Sequence, residues 1–96
     1  MPALPQSEVE SRLTSLPSWH IEGGELTRIF IHEDFRAALA FVNQVGELAE
    51  KAGHHPDIDI RYNKVRLSLV THDAGGLTAK DFDLAASVDK IDSQRG

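Results

Sequence analysis

Apolar residues recur along this 96-residue chain with two alternating periods, and the alternation predicts the order α-β-β-α-β-β-α. Val9, Leu13 and Leu16 fall at helical spacing behind Ser7-Glu8-Val9-Glu10, a capping-box pattern, and Pro17 lies just past the end. Residues 1–6 read as a loosely held lead-in. Trp19 to Glu22 alternates, Gly23-Gly24 supplies a turn that tolerates positive φ, and Leu26 to Ile31 returns as a strand. The main helix runs from the N-cap Asp34 to Ala52. Its stripe is Phe35, Leu39, Val42 and Ala49, widened by Phe41, Val45 and Leu48, and Gly53 occupies the left-handed C-terminal position.

After that helix the period shortens to two. Ile58, Ile60 and Tyr62 share one face, and Val65, Leu67 and Leu69 resume it after Asn63-Lys64. A turn at Asn63-Lys64 pairs Tyr62 with Val65, Ile60 with Leu67 and Ile58 with Leu69, since a slip of one residue would scatter the apolar set. A last helix begins at Thr78. Thr78 and Asp81 form a second capping box, Leu77 and Phe82 a hydrophobic staple, and Leu84, Ala85, Val88 and Ile91 the core stripe. These elements predict an α+β two-layer sandwich, with helices on the apolar face of a four-stranded antiparallel sheet and polar residues on the other face. Its exposed strand edges would need covering or pairing with another subunit.

Composition narrows the class. Residues 1–96 make a single domain, and a hydrophobic share of 41% is enough for one core. The absence of cysteine excludes disulfides, thiolate metal sites and a cysteine nucleophile, and it suits the cytosol. The N-terminus lacks the pattern of a signal peptide, and no apolar run is long enough to span a membrane. A net charge of −5 argues against direct nucleic-acid contact.

Candidate chemistry gathers at the open end of the second hairpin. Carried outward, the predicted register sets His55 opposite His72, with His54 one residue away at the end of the main helix. Pro56 stiffens the backbone that aims them. Clustered imidazoles titrate together and can give and take protons near neutral pH, which suits general acid–base work. The loop Asp73-Ala74-Gly75-Gly76 offers amides to a polar heterocycle. A zinc shell is the rival reading, but adjacent histidines on extended chain project to opposite faces. Asp81 is most simply a helix cap, and Tyr62 a core residue. Trp19 is either a half-buried sheet residue or the wall of a pocket. His20 and His32 read as surface residues.

The residues Glu50-Lys51, His54-His55-Pro56, Tyr62, Thr71-His72, Gly76, Thr78 and Asp81-x-x-Leu84-Ala85 resemble the signature of the pterin-4a-carbinolamine dehydratases. The likeness covers Trp19 to Asp92, with the spacing HHP-x5-Y-x9-H-x8-D. It implies a cytoplasmic enzyme that removes water from 4a-hydroxytetrahydropterin, recycling the pterin of aromatic amino-acid hydroxylases without metal or organic cofactor. It also implies that His54, His55 and His72 are the active-site histidines. By the same likeness His54 to Pro56 and Thr71, His72, Asp73 and Ala74 hold the pterin, and Glu50, Asp81 and Trp19 support them. Homodimers or homotetramers are implied as well. Gly53 and Val70 depart from the family, standing where some members have an acidic and a small hydroxyl residue. The alternative is a protein-binding module, either the dimerisation cofactor of a transcription factor or an assembly chaperone.

Overall fold

The structure is a computed structural model describing residues 2–94, and its elements follow the expected order. They are α1 (Gln6–Leu13), β1 (His20–Glu22), β2 (Glu25–Ile31), α2 (Phe35–Ala52), β3 (Asp57–Arg61), β4 (Lys64–Leu69) and α3 (Ala79–Gln94). One turn of 3-10 helix, His72–Ala74, lies between β4 and α3. The strands form one antiparallel sheet in the order β1-β2-β4-β3. Alternation places Leu26, Phe30, Val65, Leu67 and Leu69 in the core, where Phe41, Val45, Phe82 and Val88 from α2 and α3 cover them.

The main helix begins and ends as its sequence dictates. Asp34 accepts the Ala37 amide at 2.9 Å, and Gly53 closes the helix at φ 63°. Its buried face is rotated from the expected one: Ala38, Phe41, Val45 and Ala49 are buried, whereas Phe35 and Leu39 are exposed. Both sets keep helical spacing, so the period cannot choose between them. The small Ala38 and Ala49 can approach the core closely, and that favours their set.

The second hairpin turns one residue earlier than predicted. Ile60 pairs with Val65 and Ile58 with Leu67, a register shift of two. Such a shift leaves every apolar residue on its face, which is why alternation could not detect it. The turn residues are Tyr62 and Asn63, and Tyr62 is exposed at φ 52° rather than buried. Asn63 anchors the turn: its carbonyl accepts the His32 amide at 2.8 Å, and its side-chain nitrogen donates to the His32 carbonyl at 3.0 Å. His32 is itself buried, with its ring 4.7 Å from that of Phe41.

Other expectations change locally. α1 starts at Gln6 with Pro5 as its cap, so Ser7 lies inside the helix and its capping box does not form. The lead-in is tied down where it was expected to be loose, because the Leu4 amide donates to the Leu77 carbonyl at 2.8 Å; Met1 lies outside the described residues. The uncovered sheet face is less polar than predicted, with Ile29 and Ile31 exposed on it. On that face Arg66 hydrogen-bonds Glu22 and holds its carboxyl below the usual carboxylate range.

The C-terminal half of α3 is pinned by charge. Arg28 reaches Asp89 at 2.6 Å and Asp92 at 3.1 Å, and its guanidinium lies 4.1 Å from the Phe30 ring centre. The Gly53→Ala variant should lose about 1 kcal/mol in a denaturant titration. A methyl group there meets nothing within 4 Å, so the loss measures backbone strain alone.

Candidate active site

His54 leaves the end of α2 under tight backbone control. Its amide donates to the Ala49 carbonyl at 3.2 Å, the bond that accompanies left-handed Gly53. The imidazole Nε2 then lies 2.5 Å from Asp81 Oδ1, and Asp81 is 0% exposed. The other oxygen, Oδ2, accepts the Thr71 hydroxyl at 2.8 Å and the Thr78 amide at 2.9 Å. Donors thus converge on both oxygens of a buried carboxylate. Assigned from this network, the His54 hydrogen sits on Nε2, which leaves Nδ1 as the nitrogen that can exchange protons.

The capping box that begins α3 is half built. Asp81 receives the Thr78 amide as predicted, but the Thr78 hydroxyl turns to Thr71 Oγ1 at 2.7 Å. The supporting place of Asp81 came only from the resemblance, and its pairing with His54 was not legible because the two are 27 residues apart. Its spacing from Thr78 was legible; its burial was not.

Thr71 opens a closed loop. Its amide donates to the Gly76 carbonyl at 3.1 Å and the Gly76 amide returns to Thr71 at 3.4 Å. The Ala74 and Gly75 amides donate to Thr71 and His72, each at 3.0 Å. Three loop amides expected to face a ligand are therefore used within the loop. His72 and Asp73 are exposed, and Ala74 is half-buried. His72 is held near the Asp81 network because it directly follows Thr71.

His55 does not face His72 across a ladder. Asp57 pairs with Ser68, so two further steps outward would bring His55 level with Val70. Its Nε2 instead meets Glu50 Oε2 at 2.6 Å in an exposed pair one helical turn back, and Pro56 is half-buried between the histidines and β3. Trp19 lies in the core, with its Nε1 donating to Asp89 at 2.8 Å and its ring edge-on to Phe30.

A pocket of about 350 Å³ opens between the end of α2 and the start of α3, lined by Leu48, Lys51, His54, Lys80, Asp83 and Leu84 among others. Of the residues assigned to the pterin, His54 alone lines it. Among the described residues no group of histidines and carboxylates could hold a metal ion.

The site is thus a carboxylate-held histidine beside a closed loop on an open α+β sandwich. Residues 2–91 match the model of the pterin 4 alpha carbinolamine dehydratase family, and the chain belongs to that family. A relative from Acidobacterium capsulatum is 60% identical over 91 residues, covering 95% of this chain and 99% of its own. One from Chloroflexus aurantiacus is 58% identical over 91 residues, covering 95% and 98%. Both are provisionally named pterin-4-alpha-carbinolamine dehydratases. The solved transcriptional coactivator/pterin dehydratase from Brucella melitensis superimposes with a TM-score of 0.88 at 34% identity, covering 93% of this chain and 97% of that one. A pterin dehydratase-like RuBisCO assembly factor of the alpha-carboxysome has a TM-score of 0.67 at 26% identity, with coverages of 77% and 88%.

The two ion pairs should differ sharply in weight. Asp81→Ala strips the acceptor from three inward donors and should cost about 3 kcal/mol in chemical denaturation. Glu50→Ala removes a solvated partner and should change stability by less than about 0.5 kcal/mol.

Proposed function

We propose that the protein is a 4a-hydroxytetrahydropterin dehydratase working by histidine acid–base catalysis. The observation that carries this reading is the 2.5 Å contact between His54 and fully buried Asp81. A carboxylate in that position sets the tautomer of the ring and stabilises its imidazolium, as the buried aspartate does in hydrolase triads. The ring is 11% exposed, so water is largely excluded while one side remains reachable.

Dehydration breaks the C4a–O bond with both electrons leaving on oxygen, and that oxygen needs a proton to depart as water. A ring N–H gives up its proton in the same process, and its electrons form the new C=N bond. One proton is delivered and one removed, which balances to quinonoid dihydropterin plus water. His54 and His72 are the candidates for the delivery, depending on which face bears the hydroxyl. The other imidazoles accept the ring proton and hold the heterocycle, with Glu50 orienting His55. The resemblance assigns Pro56, Asp73 and Ala74 to the walls of the pterin site; Trp19 supports it only through the core.

A purely protein-binding role, as in the neighbour named for RuBisCO assembly, has weaker support here. Docking makes no use of a buried carboxylate–imidazole pair. His54→Ala and His72→Ala together should slow dehydration by a factor on the order of 10² to 10⁴ in a stopped-flow pterin assay, with the circular dichroism of the fold retained. Near-wild-type rates in that double variant would sink the reading.

Self-association belongs to the same proposal. Both outer strands, β1 and β3, leave free edges, and Ile58 and Tyr62 are exposed at the β3 end. Light scattering on the purified protein should therefore give at least twice the 10.6 kDa chain mass. A monomer at micromolar concentration would contradict it.

A further inference from the structure

Beneath the site, a hydrogen-bonded chain can run in only one direction. Thr71 Oγ1 lies 2.8 Å from Asp81 Oδ2 and 2.7 Å from Thr78 Oγ1, and both threonines are buried. A threonine hydroxyl carries a single hydrogen, and a carboxylate only accepts. The Thr71 hydrogen must therefore point at Asp81, so Thr78 has to donate to Thr71. The Thr78 amide adds a second donor to Oδ2, which leaves Oδ1 to His54.

We propose that Thr71 and Thr78 are positioning residues for proton transfer at His54. Through Asp81 they hold the imidazole in its Nε2–H tautomer, with Nδ1 toward the reaction. The inference rests on the acid–base reading of His54, and it gives Thr71 a task other than the substrate contact implied by resemblance. Its one hydroxyl hydrogen is committed to Asp81 and its amide to Gly76, so it has no hydrogen left for a pterin. Chained donors polarise one another in a buried setting, so the outer hydroxyl of Thr78 acts on the carboxylate through Thr71.

Thr71→Val, Thr78→Val, the double variant and Thr71→Ser separate this arrangement from its rivals, read by steady-state kinetics and by ¹⁵N-edited spectra of the histidine rings. Thr71→Val should lower kcat about 10- to 100-fold and Thr78→Val about 3- to 10-fold, with KM unchanged in both. Because Thr78 acts through Thr71, the double variant should be no slower than Thr71→Val alone. Thr71→Ser should restore the rate. The His54 Nε2–H resonance should lie far downfield in the wild type and move upfield in Thr71→Val.

A raised KM with retained kcat in Thr71→Val would overturn the proposal in favour of substrate contact. Additive losses in the double variant, or an unmoved His54 resonance, would overturn it too. A wild-type protein that does not dehydrate the pterin would refute the proposed reaction, and the resonance would still decide the relay.

Discussion

A carboxylate removed entirely from water constrains everything around it. Desolvating Asp81 costs several kcal/mol, which is offset only if donors meet both oxygens in good geometry. Those donors come from three places: His54 after α2, Thr71 after β4, and the Thr78 amide at the start of α3. Satisfying one buried charge thus draws together segments that the chain order keeps apart. The apolar core brings these ends close, and the charge sets how they meet.

Backbone devices supply the aim. Left-handed Gly53 stops α2 and points His54 inward, and the paired bonds between Thr71 and Gly76 hold the loop that carries Thr71 and His72. Both are short-range features on rigid elements, the kind of support that holds a side chain within a narrow range of positions. His55 has no such support. Its partner Glu50 is exposed, and the pair can open and close without disturbing the core. The three histidines therefore differ in kind: one is locked, one rides on a closed loop, and one is held at the surface.

Much of this was legible in the sequence, and what was not has physical causes. Periodicity located the helices and strands because burial acts on faces. It misjudged the hairpin register because a slip of two residues preserves the faces, and the aromatic, strand-favouring Tyr62 concealed a turn position. The buried stripe of α2 was ambiguous for a similar reason, since Phe35 and Leu39 at i, i+4 and Ala38 and Phe41 at i, i+3 both keep helical spacing. At the site, the spacing of His54, His55 and His72 could be read along the chain, whereas the pairing of His54 with Asp81 is tertiary. The expected opposition of His55 and His72 inherited the register error, because Asp57 pairs with Ser68 and not with Val70.

The likeness to both a pterin dehydratase and a RuBisCO assembly factor shows that this sandwich does not by itself specify a task. The buried network discriminates better than the fold. Replacing a buried charge and its partners by well-packed apolar residues is often neutral or stabilising. A scaffold used only for docking therefore has no thermodynamic need for Asp81, Thr71 and His54 at its centre. Under the proposed dehydration the same network has a use, because a buried acceptor fixes the tautomer of a partly dry imidazole.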